Sequence, residues 1–309
     1  MRLLLVVNAF ASSVTARNKV MIHQILTEGL EVAMVETNRR GPATRYAQDA
    51  ANRGVDVVVA LGGDGTLNEV VTGLAGSETA VAVLPGGSTN VFARTIGLPN
   101  DPVAAARLLA VALDARSIRR IGLGSVNGRY FTFHTGVGFD AAVVAAVEKR
   151  ASIKRWFGHP LFVWAGLSTW AVGYDRKHPH FRVTIDDTVT LPDGMFTIVM
   201  NTNPYTFLGD RPFDLVPGTD VDTPLSVVTF RKLTFGALVP SLVKALRGGG
   251  LPTDAKHLDV RRNVRSLVLS SEHPFPYQVD GDYLGETRRL EFRHVPDAVR
   301  LVVPPDDAR

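Results

Sequence analysis

Val57-Val58-Val59-Ala60-Leu61-Gly62-Gly63-Asp64-Gly65-Thr66-Leu67-Asn68-Glu69-Val70-Val71 is an apolar run that ends in a glycine turn and reopens as an amphipathic helix. The run has the composition of a strand buried on both faces. The glycines permit positive φ and let a ligand come close to the backbone. The helix start behind them offers unpaired N–H groups and a partial positive charge, which suit phosphate. Asp64 would repel a bare phosphate, so its place between glycines points to a bound Mg²⁺ bridging protein and nucleotide. This is the pattern of a phosphoryl-transfer site without a P-loop: no Gly-Lys pair occurs anywhere in the chain, which excludes G-x-x-x-x-G-K-[ST].

A second unit of the same kind follows. Ala80–Leu84 runs into Pro85-Gly86-Gly87-Ser88-Thr89-Asn90, with a helix expected from Val91. Two successive strand–loop–helix units place both loops at the carboxyl edge of one parallel sheet, where α/β folds bind ligands. Working outward, Leu3–Val7 and Val32–Thr37 read as strands, and Asn18–Gly29, Ala43–Arg53 and Pro102–Leu113 as helices. The alternation predicts a parallel sheet covered on both faces.

From about Ile121 the texture changes to short strand-like runs between Pro, Gly and Asp turns: Tyr130–His134, Phe181–Ile185, Phe196–Asn201, Leu225–Phe230, Ser266–Ser270 and Arg289–Phe292. Helices are expected over Ala141–Lys154, Leu161–Gly173 and Phe235–Arg247. The fold class expected is α/β plus β. A Rossmann-like α/β nucleotide domain spans 1–122, an antiparallel β-sandwich spans 123–295, and 296–309 holds a last strand, Val299–Val303, that returns to one of them, with the first domain as the expectation.

The chain has 309 residues, 45% of them hydrophobic, so a substantial core is available. It has no cysteine, which removes disulfides, thiolate zinc sites and a Cys nucleophile. The first apolar run, Leu3–Val7, stops at Asn8 and reads as a strand, not a leader. No stretch of 18 apolar residues occurs. The net charge is +4, yet Arg231–Arg265 alone carries eight Lys and Arg against Asp254 and Asp259. Lysine is absent from Val20 through Glu148, so phosphate charge in the first domain must meet N–H groups, a metal or arginine.

Gly62-Gly63-Asp64-Gly65-Thr66-Leu67-Asn68-Glu69-Val70-Val71-Thr72-Gly73-Leu74 resembles the signature of the diacylglycerol kinase catalytic family of lipid kinases, and the likeness extends over essentially the whole chain. Pro85-Gly86-Gly87-Ser88-Thr89-Asn90-Val91-Phe92-Ala93-Arg94 resembles its second nucleotide loop. Asn8-Ala9-Phe10-Ala11-Ser12 resembles its Asn-Pro-x-Ser-Gly element, with Ala9 for Pro and Ser13 where Gly is common. Thr37 stands where the family has a nucleotide-contacting Thr. Val279-Asp280-Gly281-Asp282 resembles the Asp-Gly-Glu element that carries the catalytic base, with the shorter acid at Asp282. Val91 replaces an Asp that in many members joins a charged network near the metal.

The resemblance implies ATP- and Mg²⁺-dependent phosphorylation of a lipid hydroxyl, diacylglycerol first among the acceptors. It implies nucleotide binding by Asn8, Ser12, Thr37, Gly62, Gly63, Asp64, Gly65, Thr66, Leu67, Asn68, Glu69 and Ser88. N–H groups of Gly63, Gly65 and Thr66 would cradle phosphates, the Thr66 and Ser88 hydroxyls would donate to phosphate oxygens, and Asn68 would position the loop. Asp64 would hold the catalytic Mg²⁺, and Asp222 lies where some relatives place a structural Mg²⁺ ligand. The base would be Asp280 or Asp282, a choice the sequence leaves open; base catalysis of this kind contributes roughly 10²–10⁴-fold.

Phe235, Leu238, Val239, Leu242, Val243 and Leu246 recur at helical spacing beside Lys244 and Arg247, a basic amphipathic helix suited to anionic lipid. Lys149, Arg150, Lys154 and Arg155 with Trp156 and Phe157 form a second basic–aromatic cluster, and the Trp164/Trp170 helix is apolar nearly all round. The expected partners are therefore a lipid substrate and the surface of an anionic membrane. The expected location is cytoplasmic, at the membrane's inner face. No nucleic-acid motif appears, and oligomeric state is open, a homodimer included. His134-Thr135-Gly136-Val137-Gly138-Phe139-Asp140-Ala141 imitates a dinucleotide fingerprint but lacks the acid about 20 residues on, so it reads as a packing turn with His134 a satisfied structural histidine. The alternatives are an NAD kinase, whose family shares Gly-Gly-Asp-Gly-Thr, and a catalytically inactive nucleotide- or lipid-binding relative.

Overall fold

The computed structural model describes residues 1–148, 174–175, 178, 180–253 and 255–304. They form two compact units, Met1–Leu123 with Val295–Arg309, and Gly124–His294. In the first, β1 (Arg2–Asn8), α1 (Ala16–Thr27), β2 (Glu31–Thr37), α2 (Pro42–Asn52), β3 (Val57–Gly62), α3 (Asp64–Leu74), β4 (Ala80–Pro85), α4 (Val91–Thr95) and α5 (Pro102–Asp114) follow one another. The strands run in the order β2-β1-β3-β4, all parallel. Beyond β4, Arg300 and Leu301 pair in parallel with Ala80 and Val81, so the end of the chain does return to this sheet. Every residue of β3 and β4 is buried, which is why both read as unbroken apolar runs.

Helix α2 packs on α3, and α1 on α5. Their starts follow capping chemistry: Thr15 Oγ1 accepts from Asn18 N at 3.1 Å ahead of α1, and Asp101 Oδ1 accepts from Ala104 N at 2.7 Å with Pro102 opening α5. The chain leaves β1 for β2 on one side and comes back for β3 on the other. That reversal makes the carboxyl ends of β1 and β3 the switch point where such sheets open a crevice.

From residue 118 the chain is strand-rich: β5 (Ile118–Val126), β6 (Arg129–Phe131), β7 (His134–Gly138), α6 (Phe139–Glu148), β8 (Phe181–Ile185), β9 (Val189–Gly194), β10 (Phe196–Met200), β11 (Thr206–Leu208), β12 (Arg211–Phe213), β13 (Leu225–Phe230), α7 (Phe235–Leu246), β14 (Leu258–Val264), β15 (Ser266–Val279) and β16 (Asp282–Val302), of which β5 and β16 each run across the boundary of the second unit. Strands β14-β13-β10-β7-β15 form an antiparallel run, β8 and β9 continue from β15, and β5 with β6 pairs to β16. The 14 residues of β15 serve two partners: Leu267–Ser270 pair with β8, and Tyr277–Val279 with β7. Strand β15 thus joins two sets of strands within one hydrogen-bonded sheet.

Strands β10 and β13 are buried on both faces. Val199, Leu225 and Val227 join a core with Phe131, Phe181, Phe275 and Phe292, while Phe196, Ile198, Met200, Val228 and Phe230 join another with Leu215 and Ala245 of α7. The segments read as separate strands at Arg289–Phe292 and Val299–Val303 are one strand of 21 residues. Pro296 and the positive φ of Asp297 (52°) interrupt the alternation between them without ending the strand. The tract read as one strand at Tyr130–His134 divides between β6 and β7. The Leu161–Gly173 helix and the Lys149–Phe157 cluster lie outside the described residues. Among those described, no helix is long and apolar enough to cross a membrane.

Candidate active site

The two glycine loops of the first unit lie backbone against backbone. Gly86 N donates to Gly62 O at 2.8 Å. A Cβ on Gly86 would stand 2.8 Å from Gly62 Cα, and one on Gly87 2.8 Å from Gly63 Cα. Only glycine permits this approach, and it seats the ends of β3 and β4 together at the sheet's carboxyl edge. Ser13 N donates to Gly86 O at 2.9 Å, bringing the β1–α1 loop to the same place. From the end of β1, Asn8 Nδ2 donates to Thr66 Oγ1 at 3.1 Å. A hydroxyl that accepts in this way keeps its own hydrogen to give.

The N–H groups at the start of α3 divide. Those of Thr66 and Leu67 both close onto Gly63 O, at 3.0 and 3.2 Å, so the Thr66 N–H expected to cradle phosphate is spent inside the turn. Gly63 and Gly65 donate to no backbone acceptor among the described residues. Leu67 and Asn68 are buried, at 1% and 3% exposure, whereas Ser12 and Ser88 are exposed.

Asp64 reaches across to the second loop. Its Oδ2 accepts from Val91 N at 3.0 Å and its Oδ1 from Phe92 N at 3.1 Å. The carboxylate therefore satisfies donors that the start of α4 would otherwise leave unpaired. Val91 is buried as an apolar side chain, and the link from residue 91 to Asp64 runs through the backbone. Glu69, expected at the nucleotide, does a similar job for α2: its two oxygens accept from Gly41 N at 2.8 Å and Ala43 N at 3.1 Å.

Sequence reasoning missed Asn90 as an organiser. Held in the left-handed region (φ 51°), it is 2% exposed; its Oδ1 accepts from Gly87 N at 2.8 Å and its Nδ2 donates to Gly87 O at 2.9 Å. Asn tolerates that conformation better than most residues.

Beyond β2 the same edge opens into a pocket of about 430 Å³ lined by Glu36, Thr37, Asn38, Arg39, Pro42, Arg45 and Tyr46. Thr37 forms part of its wall and is itself 5% exposed. Arg39 and Arg45 supply the cations that a lysine-free stretch requires; no pattern in the sequence marked them. Lys19, just ahead of that stretch, pairs with Glu36 at 2.6 Å.

In the second unit Asp280 and Gly281 form a two-residue hairpin turn with positive φ at both, 48° and 81°, closed by the Val279–Asp282 pair. Asp280 is 5% exposed. Its Oδ2 accepts from Thr132 N and Oγ1, at 2.7 and 2.9 Å, and its Oδ1 from Phe133 N and His134 N, at 3.0 and 3.2 Å. Those bonds fill the acceptor positions of a carboxylate. Asp282 is half-buried at the start of β16. The two acids that the sequence left interchangeable thus have different surroundings.

Behind the turn lies a buried polar cluster. Asp140 Oδ1 accepts from Tyr205 Oη at 2.5 Å and its Oδ2 from Gln278 Nε2 at 2.9 Å; Gln278 Oε1 accepts from Gly281 N at 2.8 Å. Gly136 is required here, because a Cβ would fall 1.5 Å from Asp140 Oδ2. His134 stacks on Tyr205 with ring centroids 4.3 Å apart. Burial pushes its imidazole down to about 4, the nearby Asp140 charge acting weakly the other way. Its Nδ1 has no hydrogen-bond partner among the described residues, so the histidine expected to be satisfied is not satisfied at that nitrogen. The segment read as a packing turn is the end of β7 running into α6, and it inters a carboxylate.

Asp222 is exposed in a turn where its N–H donates to Asp220 Oδ1 at 3.0 Å. Among the described residues no three His, Cys, Asp or Glu side chains converge. Asp64 belongs to the first unit and Asp222 to the second.

Helix α7 buries two small residues and leaves three apolar ones exposed. Ser241 and Ala245 are buried, at 2% and 0% exposure, while Val239, Val243 and Leu246 are 44%, 40% and 42% exposed. Ser241 and Ala245 pack inward, with Leu238 against the core that holds Ala245, and Val239, Val243 and Leu246 form an outward apolar stripe. Lys244 and Arg247 are exposed beside it and have no ion-pair partner among the described residues. Elsewhere in the basic stretch, Arg231 pairs with Asp193 and Arg261 with Asp259, each at 2.8 Å.

Residues 2–126 match the family described as "Diacylglycerol kinase catalytic domain". The chain is 41% identical over 291 residues to a diacylglycerol kinase of Bacillus subtilis, covering 91% of this chain and 88% of that one. It is 31% identical over 278 residues to a "Probable lipid kinase YegS-like" of Pseudomonas aeruginosa, covering 89% and 86%. A crystal structure of a putative diacylglycerol kinase from Bacillus anthracis str. Sterne superposes with a TM-score of 0.77 over 98% of each chain at 22% identity, a likeness of fold.

Proposed function

Because the chain belongs to the diacylglycerol kinase catalytic-domain family, and is a kinase that uses ATP, we propose that it phosphorylates the primary hydroxyl of diacylglycerol or a related lipid alcohol to give phosphatidic acid or its analogue. The observation that carries this reading is the backbone-on-backbone seat of Gly62–Gly63 against Gly86–Gly87 at the switch point of the first sheet. The Gly63 and Gly65 N–H groups and the Thr66 hydroxyl would receive the phosphates there. The Arg39–Arg45 pocket would take the remainder of the nucleotide.

Asp64 suits one Mg²⁺ arriving with the nucleotide. Its carboxylate lies at the phosphate-facing loops, where it accepts from Val91 N and Phe92 N, and Mg²⁺ is commonly held by one or two carboxylates, substrate phosphates and water. When bound, the ion would neutralise charge developing on the transferred phosphoryl group. No comparable support attaches to Asp222.

Asp282 is proposed as the base. Its carboxylate accepts the hydroxyl proton as the acceptor oxygen bonds to the γ-phosphorus; the bond to the bridging oxygen breaks, and ADP leaves. Asp280, with its acceptor positions occupied, holds the turn. We further propose peripheral attachment to the inner face of an anionic membrane through the outward stripe of α7, flanked by Lys244 and Arg247.

The test is ATP-dependent phosphate transfer with Mg²⁺, using mixed micelles of diacylglycerol, sphingosine and ceramide in parallel with soluble NAD⁺. Lipid product that disappears in Asp64→Ala is expected; product from NAD⁺ alone would replace this reading with the NAD kinase alternative. Vesicle sedimentation tests the membrane part: binding should favour anionic over neutral vesicles, weaken with salt and fall in Val239→Ser/Val243→Ser. Equal binding to both kinds of vesicle would remove the electrostatic claim.

A further inference from the structure

The turn that presents Asp282 is gripped at both of its residues. Asp280 is gripped through its carboxylate, by the N–H groups of residues 132–134. Gly281 is gripped through its N–H, by Gln278 Oε1 at 2.8 Å. A Gln side chain can make that second grip only if its amide faces the right way, because the flipped amide would set an NH₂ against an N–H. Gln278 is 0% exposed, so water is not at hand to correct the choice.

The orientation is set by Asp140. Its Oδ2 accepts from Gln278 Nε2 at 2.9 Å, and being a carboxylate it offers no donor that could suit the flipped amide. Asp140 is itself fixed on its other oxygen by Tyr205 Oη. It sits at the second residue of α6, 9% exposed and against a glycine whose Cβ would collide with it. Such a charge is costly to bury without strong partners, and the mechanism proposed above gives it no chemical task.

We infer that Asp140 and Gln278 are positioning residues that hold the Asp280–Gly281 turn, and so Asp282, in register for proton abstraction. The inference rests on the proposed role of Asp282 as base. Asp140 touches no reacting atom; it acts through one amide and one N–H. A displacement of about 1 Å at a reacting group can cost about 100-fold in rate, so a modest relaxation of this turn is enough to register in turnover.

The experiment is a double-mutant cycle on kcat, with dioleoylglycerol in mixed micelles and MgATP. Gln278→Met keeps the volume and removes both hydrogen bonds. It should lower kcat about 10- to 100-fold and leave the KM for ATP unchanged. In an Asp282→Asn background it should lower kcat little further, because the base it positions is already gone. Asp140→Asn, whose carbonyl can still face Gln278 while Tyr205 turns its hydroxyl, should recover most of what Asp140→Ala loses. Thermal unfolding identifies any variant that fails to fold, and Gln278→Met then stands in for Asp140→Ala. Independent, multiplicative losses in the double variant would overturn the inference, as would full turnover in Gln278→Met beside an inactive Asp282→Asn. Full turnover in Asp282→Asn would instead overturn the base assignment, and the positioning claim with it.

Discussion

The two turns proposed to carry the chemistry are built by opposite means. In the first unit Gly62–Gly63 and Gly86–Gly87 need empty space: no side chain fits, and backbone meets backbone. In the second, nothing among the described residues beyond its chain neighbours lies within 4 Å of where a Gly281 Cβ would be, and the turn is held by side-chain hydrogen bonds, from the Asp280 carboxylate to the N–H groups of residues 132–134 and from the Gln278 amide to Gly281 N. A phosphate cradle needs N–H groups laid bare, which favours having no side chains nearby. A base needs a fixed carboxylate, which favours having many.

The comparison breaks first at Gly86. Gly86→Ala puts a methyl group against the Gly62 backbone and Val14. We expect it to destabilise the protein by about 3 kcal/mol or more and to abolish ATP binding in calorimetric titration. Near-normal ATP affinity would show that the loops do not need this contact. Next comes Asp280→Ala, which leaves the buried N–H groups of Thr132, Phe133 and His134 without an acceptor. Chemical denaturation should show a loss of about 3 kcal/mol, against almost none for Asp282→Asn. Equal losses would erase the division of labour between the two acids.

His134 sharpens the contrast through pH. Its folded pKa of about 4 lies below its ordinary 6.5. Above pH 6.5 it is neutral whether folded or unfolded and contributes nothing. As pH falls from 6.5 towards 4, only the unfolded chain takes up the proton, so folding stability drops by a total of about 3 kcal/mol. Most of that drop should be visible between pH 7 and 4.5 and should be missing in His134→Phe; identical pH profiles would disprove the assignment. The smallest effect is at Gly281, where only φ matters. Gly281→Ala should cost about 1–2 kcal/mol, with Gly281→Asn milder, both read from thermal unfolding.

The first unit was the more legible for the same reason. Gly62-Gly63-Asp64-Gly65-Thr66 lies between two fully buried parallel strands, so period, turn and helix start are contiguous in the chain. The second unit depends on partners such as Thr132 and Asp280, 148 residues apart, which no local pattern joins. Asp140 was visible only as part of a segment read as a packing turn. Strand β14 was hidden because Asp259, Arg261 and Arg262 give it a charged face, as suits the end of the strand order. Helix α7 was visible as a periodicity, but periodicity does not say which face turns inward. Its Ser241–Ala245 side did.

Val91 holds a last consequence. A side-chain acid at that position would lose its contribution by a single substitution. In this chain the group that meets Asp64 from residue 91 is an N–H, which nineteen of the twenty amino acids carry and only proline lacks. The contact is therefore shielded from mutation: side chains at 91 and 92 can drift with the needs of the core while the link persists, leaving no trace in an alignment.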